Sequence, residues 1–168
     1  PYLYFSQNGE RSGHSYGIIY GARMTNDLAR FESEPILLLQ ASQRWERVNW
    51  ERNRCNEGPA VIKHKGVYYM TYSGNSTFEQ HCGIGYATAR HPLGKWTKNR
   101  ANPIAATNLD IGVSSPGHNS IVSSPDGSEL FYVYHTHADP IRPSGDRVVH
   151  IYRLGLYSPG RLILAGQT

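Results

Sequence analysis

The chain has 168 residues and a mass of 18.9 kDa, the size of one domain or part of one. Its 12 Tyr, 17 Gly and 10 Pro, with only 39% apolar residues, exclude a helical bundle or coiled coil and point to short strands joined by tight turns. The net charge of +4 is spread without a basic run, and no stretch approaches the ~18 apolar residues of a bilayer span, so neither nucleic acid nor a membrane is an expected partner.

The predicted elements are strands in three groups. The first holds 2–6, 15–23 and 36–40, with Asn8-Gly9 as its hairpin turn. It opens at Pro1, without Met, inside the alternating pattern Tyr2-Leu3-Tyr4-Phe5, so the sequence is read as a piece of a longer polypeptide. Residues 43–54 come nearest to a helix, although their Trp, Val and Asn content weakens it. The second group holds 59–63, 67–73, 83–89 and 96–98, with a Lys65-Gly66 turn. The third holds 119–123, 130–135, 148–154 and 162–164, with turns at Pro125-Asp126-Gly127 and Ser158-Pro159-Gly160.

The second and third groups share an order: a Gly or Pro beside a polar residue, an apolar strand, a Gly turn, a Tyr-rich strand, then another strand. Their leading polar residues, Glu57 and His118, stand 61 positions apart, which suits four-stranded propeller blades with long loops. The expected division is 1–42 for the remainder of one blade, 55–104 for a second and 116–166 for a third. An open ring of blades leaves apolar faces uncovered, so this segment should need the rest of its ring.

Glu57, between Asn56 and Gly58-Pro59, opens a largely apolar strand. At the start of an innermost propeller strand it faces the mouth of a channel, where a partly desolvated carboxyl is suited to hold and deliver a proton. Outside that context it reads as a surface Glu at the start of a strand. His118 occupies the corresponding place one blade later, and two polar groups at equivalent positions converge on one axis. His135 and His137 alternate along one strand, but no third ligand accompanies them. Arg147, ahead of a strand, can donate paired hydrogen bonds or simply cap a turn. Tyr68, Tyr72, Tyr86 and Trp96 are assigned to the core. Cys55 and Cys82 lack zinc-site spacing and are either free buried thiols or one disulfide. The sequence has no GxSxG elbow, phosphate loop or HExxH, which leaves carboxylate chemistry on a β scaffold.

Asn56-Glu57-Gly58-Pro59, followed by Gly66-Val67-Tyr68-Tyr69-Met70-Thr71-Tyr72-Ser73, resembles the glutamate-bearing motif of glycoside hydrolase family 43. Gly83-Ile84-Gly85-Tyr86-Ala87-Thr88-Ala89 with Pro92-Leu93-Gly94-Lys95-Trp96 is similar to the strand and turn that follow. Pro116-Gly117-His118-Asn119-Ser120, Ser124-Pro125-Asp126-Gly127 and Tyr132-Val133-Tyr134-His135 resemble the last blade. The similarity runs in order through nearly the whole chain.

The resemblance implies an all-β fold, part of a five-bladed β-propeller of which the chain holds roughly blades three to five. It further implies a secreted glycosidase that hydrolyses arabinose- or xylose-containing plant cell-wall saccharides with inversion. Family members use an Asp base, an Asp that tunes and holds the acid, and a Glu general acid. Glu57 matches the acid. His118 matches a histidine near the channel axis, a substrate-site residue that in some members also takes part in binding a calcium ion. Arg147 matches an Arg that contacts the sugar in the deepest subsite. No cofactor is required beyond that possible calcium.

Both family aspartates fall before Pro1, and Asp27, Asp110, Asp126, Asp139 and Asp146 match neither. Inversion needs an acid and a base about 6.5–9.5 Å apart, so the segment alone should be inactive and should depend on the missing N-terminal half as its partner. Secretion favours a Cys55–Cys82 disulfide that braces the loop holding Glu57. The alternative from another class is a carbohydrate-binding propeller without catalysis.

Overall fold

A computed structural model describes residues 1–157 and 160–165. β1 (Tyr2–Arg11) and β2 (His14–Arg23) form a long hairpin, closed where Arg11 faces His14. Its turn is Ser12-Gly13, both at positive φ (50° and 81°) as a two-residue hairpin turn requires, and not the expected Asn8-Gly9. Asn8 continues the strand opposite Gly17, because its side chain is engaged across the sheet. β3 (Ile36–Gln40) pairs with the other edge of β2.

Residues 43–54 do not form the near-helix that their sequence suggests. They make a single 3-10 turn, Arg44–Arg47, and then turns. Glu46 is drawn fully inside the fold, and Trp50 is covered by the guanidinium groups of Arg47 and Arg54 at 5.3 and 4.7 Å. These tertiary contacts override a weak local propensity.

β4 (Asn53–His64), β5 (Val67–Gly74), β6 (Gly83–Ala89) and β7 (Thr97–Lys98) make one antiparallel meander. β8 (Gly117–Ser123), β9 (Leu130–His137), β10 (Arg147–Tyr157) and β11 (Arg161–Ala165) make a second. Lys65-Gly66 turns β4 into β5 with both residues at positive φ, and Gly127 at φ 70° serves the β8–β9 turn. Ser158 and Pro159 of the last expected turn lie outside the described residues. The start of β4 also runs parallel to β2, pairing Asn53–Cys55 with Ser15–Gly17, and this merges the first two strand groups into one seven-stranded sheet.

β5 is buried on both faces because successive side chains point opposite ways. Tyr69 joins Ile84, Tyr86, Tyr132, Tyr134 and Leu154 in a core between the two meanders. Met70 and Tyr72 join Ile19, Leu39, Ala87 and Trp96 in a core against the hairpin. Of the expected core aromatics, Tyr72, Tyr86 and Trp96 are buried, and Tyr68 packs half-buried at the edge. The outer faces of the stack stay apolar. Phe5 stacks with Tyr20 and Phe31 at one end, and Val122, Val149 and Ile151 are exposed at the other.

Cys55 and Cys82 are free buried thiols and do not form the expected disulfide. β5 runs between their strands: Gly74 pairs with Asn56 on one side and with Gly83 on the other. One residue further along, the two cysteines are separated by two strand spacings, roughly 9.5 Å, beyond the ~7 Å that a disulfide spans. Gly17 makes room for the Cys55 sulfur, since a Cβ there would lie 2.5 Å from it, and a Cβ at Gly117 would lie 3.1 Å from that of Cys82. Burial, with Glu57 nearby, pushes the Cys55 thiol up, and burial pushes Cys82 up to about 12. In the folded protein at pH 8 both thiols should react with a disulfide reagent more than ~100-fold slower than after unfolding, when two titrate. Rapid labelling of the folded protein, or only unreactive sulfur after unfolding, would contradict the arrangement.

Candidate active site

The site begins behind Glu57. Asn56 is fully buried, and its side-chain Oδ1 accepts from Lys98 Nζ at 2.7 Å. Its amide nitrogen donates to Glu46 Oε1 at 3.1 Å. Lys98 also reaches both Glu46 oxygens, at 2.6 and 2.8 Å, and the Gln40 carbonyl at 2.8 Å. Burial lowers the Lys98 pKa, and the Glu46 carboxylate opposes that shift. This closed network fixes the backbone just before Glu57. Strand alternation then turns the Glu57 side chain out of the interior, where it is 24% exposed.

A bulge follows at once. The β4–β5 register shifts between Glu57 and Ala60, with Gly58 at φ 59° and its N–H donating to Ser6 Oγ at 3.0 Å. β8 carries a matching bulge between Gly117 and Ser120. There His118 sits at φ 45° with its N–H donating to Ser73 Oγ at 2.8 Å. Such bulges re-aim side chains at sheet rims. Here they bring His118 Nδ1 to 3.6 Å from Glu57 Oε1, with the imidazole over Gly58. A side chain at Gly58 would meet that ring at 3.4 Å in a left-handed backbone conformation.

On its other side, Glu57 Oε2 accepts from Asn8 Nδ2 at 2.5 Å, and the Cys55 thiol lies close enough for Glu57 to help raise its pKa. Both neighbours escape sequence reading: Asn8 lies 49 residues away and reads as a turn residue, and Cys55 reads as structural. A cleft of about 520 Å³ opens beside Glu57, lined among others by Asn8, Tyr16, Asn53, Thr77 and Phe78.

His135 stacks parallel to His118, with ring centroids 6.1 Å apart. Burial, and then the charge of Arg147, lower its pKa, and the same causes lower that of His137. His137 is held apart from this stack by Ser114 Oγ, 2.8 Å from its Nδ1. Arg147 begins β10 opposite His137 and ties its own turn, donating to the Ser144 and Asp146 carbonyls at 2.6 and 3.0 Å. The structure thus joins Glu57 to His118, while Arg147 is bonded to its own turn and acts on His135 and His137 through its charge.

Among the described residues, no three His, Cys, Asp or Glu side chains converge on a common point. Calcium takes six to eight oxygen ligands, and an imidazole beside one carboxylate does not supply them. The residues present do not fit a calcium site on their own.

Meanders packed face to face, each with a bulge that turns a polar side chain toward the same rim, define part of a β-propeller. Residues 1–159 match the sequence profile of Glycosyl hydrolases family 43, and the chain belongs to that family. It is 36% identical over 121 residues to an extracellular exo-α-(1→5)-L-arabinofuranosidase of Streptomyces avermitilis, covering 70% of this chain and 24% of that protein. Among solved structures it is similar to a thermostable family-43 glycoside hydrolase, with 46% identity and a TM-score of 0.90 over 100% of this chain and 54% of that one. An endo-1,4-β-xylanase of Bacteroides thetaiotaomicron is similar with 30% identity and a TM-score of 0.85, over 99% of this chain and 54% of that one. The chain therefore spans about a quarter of the curated relative and about half of the solved chains.

Proposed function

We propose that the protein containing this chain is an extracellular inverting glycoside hydrolase of arabinose- or xylose-containing plant saccharides, with Glu57 as its general acid. The observation that carries this reading is the presentation of Glu57: a half-buried carboxyl, fixed by a buried network behind it and by Asn8 beside it, opening onto a cleft. Family membership and the arabinofuranosidase and xylanase relatives support the substrate class.

In the proposed reaction, protonated Glu57 gives its proton to the glycosidic oxygen as the bond from that oxygen to the anomeric carbon breaks. The bonding pair stays on the departing oxygen. Water attacks the anomeric carbon from the opposite face and loses its proton to a carboxylate base carried by another part of the protein. His118, 59% exposed beside Glu57, and Arg147 contribute hydrogen bonds to the sugar. The remaining blades cover the apolar faces at Phe5, Tyr20 and Phe31 and at Val122, Val149 and Ile151. Without them this segment is inactive.

The first-formed sugar anomer, followed by proton NMR during hydrolysis of an arabino- or xylo-oligosaccharide by the complete protein, should have the configuration opposite to the substrate. Retention would overturn the mechanism. Binding of the same saccharides with no hydrolysis at all would favour a carbohydrate-binding propeller.

A further inference from the structure

The loop 75–82, between β5 and β6, is tied down along its length. Asn75 Nδ2 donates to the Trp45 carbonyl at 2.9 Å, and Gln80 Nε2 donates to Ser114 Oγ at 2.7 Å and to the Pro140 carbonyl at 2.9 Å. Thr107 Oγ1 donates to the Gln80 carbonyl at 2.7 Å, and Ser115 Oγ donates to that of Thr77 at 3.2 Å. Asn75 and Gln80 hold left-handed conformations, at φ 73° and 56°. Yet Phe78, in the middle of this braced segment, is 96% exposed, more than any other large apolar side chain described. Other bare apolar side chains among the described residues lie on the outer sheet faces, as Val149 and Ile151 do, or on other loops, as Leu28, Ile111 and Ile141 do. Phe78 differs from these in its place. It lines the cleft that holds Glu57.

A general acid protonates the oxygen of the leaving group, so the departing part of the substrate lies on the acid's side of the broken bond. The cleft lies against the Glu57 carboxyl and can take that part. Its wall offers Asn53, Arg52 and Thr77 as hydrogen-bonding partners, and Phe78 as an apolar plate. One face of a pyranose or furanose ring is made largely of C–H groups. Such a face packs on an aromatic ring, while the hydroxyls at its rim find polar partners.

We infer that Phe78 is the platform on which the departing saccharide stacks, which makes it a specificity-determining residue for substrates longer than the cleaved sugar. This rests on the reading of Glu57 as acid. The test compares Phe78→Ala and Phe78→Trp with wild type in the complete protein, on two substrates. One is an arabino- or xylo-oligosaccharide; the other is the matching glycosyl fluoride, whose one-atom leaving group does not reach the loop. Phe78→Ala should lower kcat/KM on the oligosaccharide about 3- to 10-fold, mainly through KM, with Phe78→Trp restoring it and the fluoride changing less than about 2-fold.

Equal losses on both substrates together with a lower Tm would make Phe78 a packing residue against the rest of the ring and overturn the inference. Unchanged kinetics on every oligosaccharide would overturn it as well. If wild type hydrolyses neither substrate, the catalytic reading fails by itself, and calorimetry with the oligosaccharide decides the fate of Phe78. Weaker binding by Phe78→Ala supports the platform, and equal binding removes it.

Discussion

Glu57→Gln in the complete protein should slow hydrolysis of unactivated arabino- or xylo-oligosaccharides by about 10²–10⁴-fold, the usual contribution of a positioned proton donor. The amide keeps the size of the side chain and an oxygen for Asn8 Nδ2 to donate to, so the cleft keeps its shape. What disappears is the transferable proton. A sugar alkoxide is a poor leaving group and needs that proton as the bond breaks. A nitrophenolate departs without it, so activated aryl glycosides should lose no more than about tenfold. Comparable losses on both classes would mean that Glu57 positions the substrate or the fold and does not deliver a proton.

The largest effect on stability is expected from Lys98→Met. Glu46 is 0% and Lys98 9% exposed at the side chain, and the carboxylate also accepts from the Ser42 and Gln43 amides at 2.7 and 2.6 Å. Removing the ammonium leaves a desolvated negative charge facing the hydroxyl edge of Tyr72 and the emptied position beside Asn56. Breaking one side of a buried pair costs about 3–5 kcal/mol. Urea unfolding of the complete protein should read a loss of that size. The double variant Glu46→Gln with Lys98→Met, which removes both charges, should recover much of it. A loss below about 1 kcal/mol in the single variant would show that Glu46 is not held as an uncompensated charge. Asn56 shares this network, so the same variant should also lower kcat, through a misplaced Glu57.

Much of the scaffold is legible in local patterns. The Tyr-rich strands β5 and β9, the Lys65-Gly66 turn and the equivalence of Glu57 with His118 all come from neighbouring residues or from a repeat. The failures share a cause in long-range contacts. Asn8-Gly9 is as good a turn pair as Ser12-Gly13, and the choice between them is made by Glu57 and by the Cys55 sulfur beneath Gly17. Residues 43–54 lose their near-helical reading because Glu46 is captured by Lys98, 52 positions away. The expected disulfide followed from the redox compartment, whereas the geometry is set by an intervening strand. Glu57 and its neighbour His118 could be read from the repeat. The donor Asn8 and the bare ring of Phe78 could not, because a polar contact between blades leaves no periodic trace.

The parallel seam between β2 and β4 sets the position of Glu57 from the preceding hairpin. Met24 bridges to Phe31, which pinches off the exposed tip at 26–30 from everything downstream. The tip takes no part in the seam that holds Glu57. A single-residue slip within 15–17 would replace Gly17 with a side chain over the Cys55 sulfur and lever Glu57 out of line.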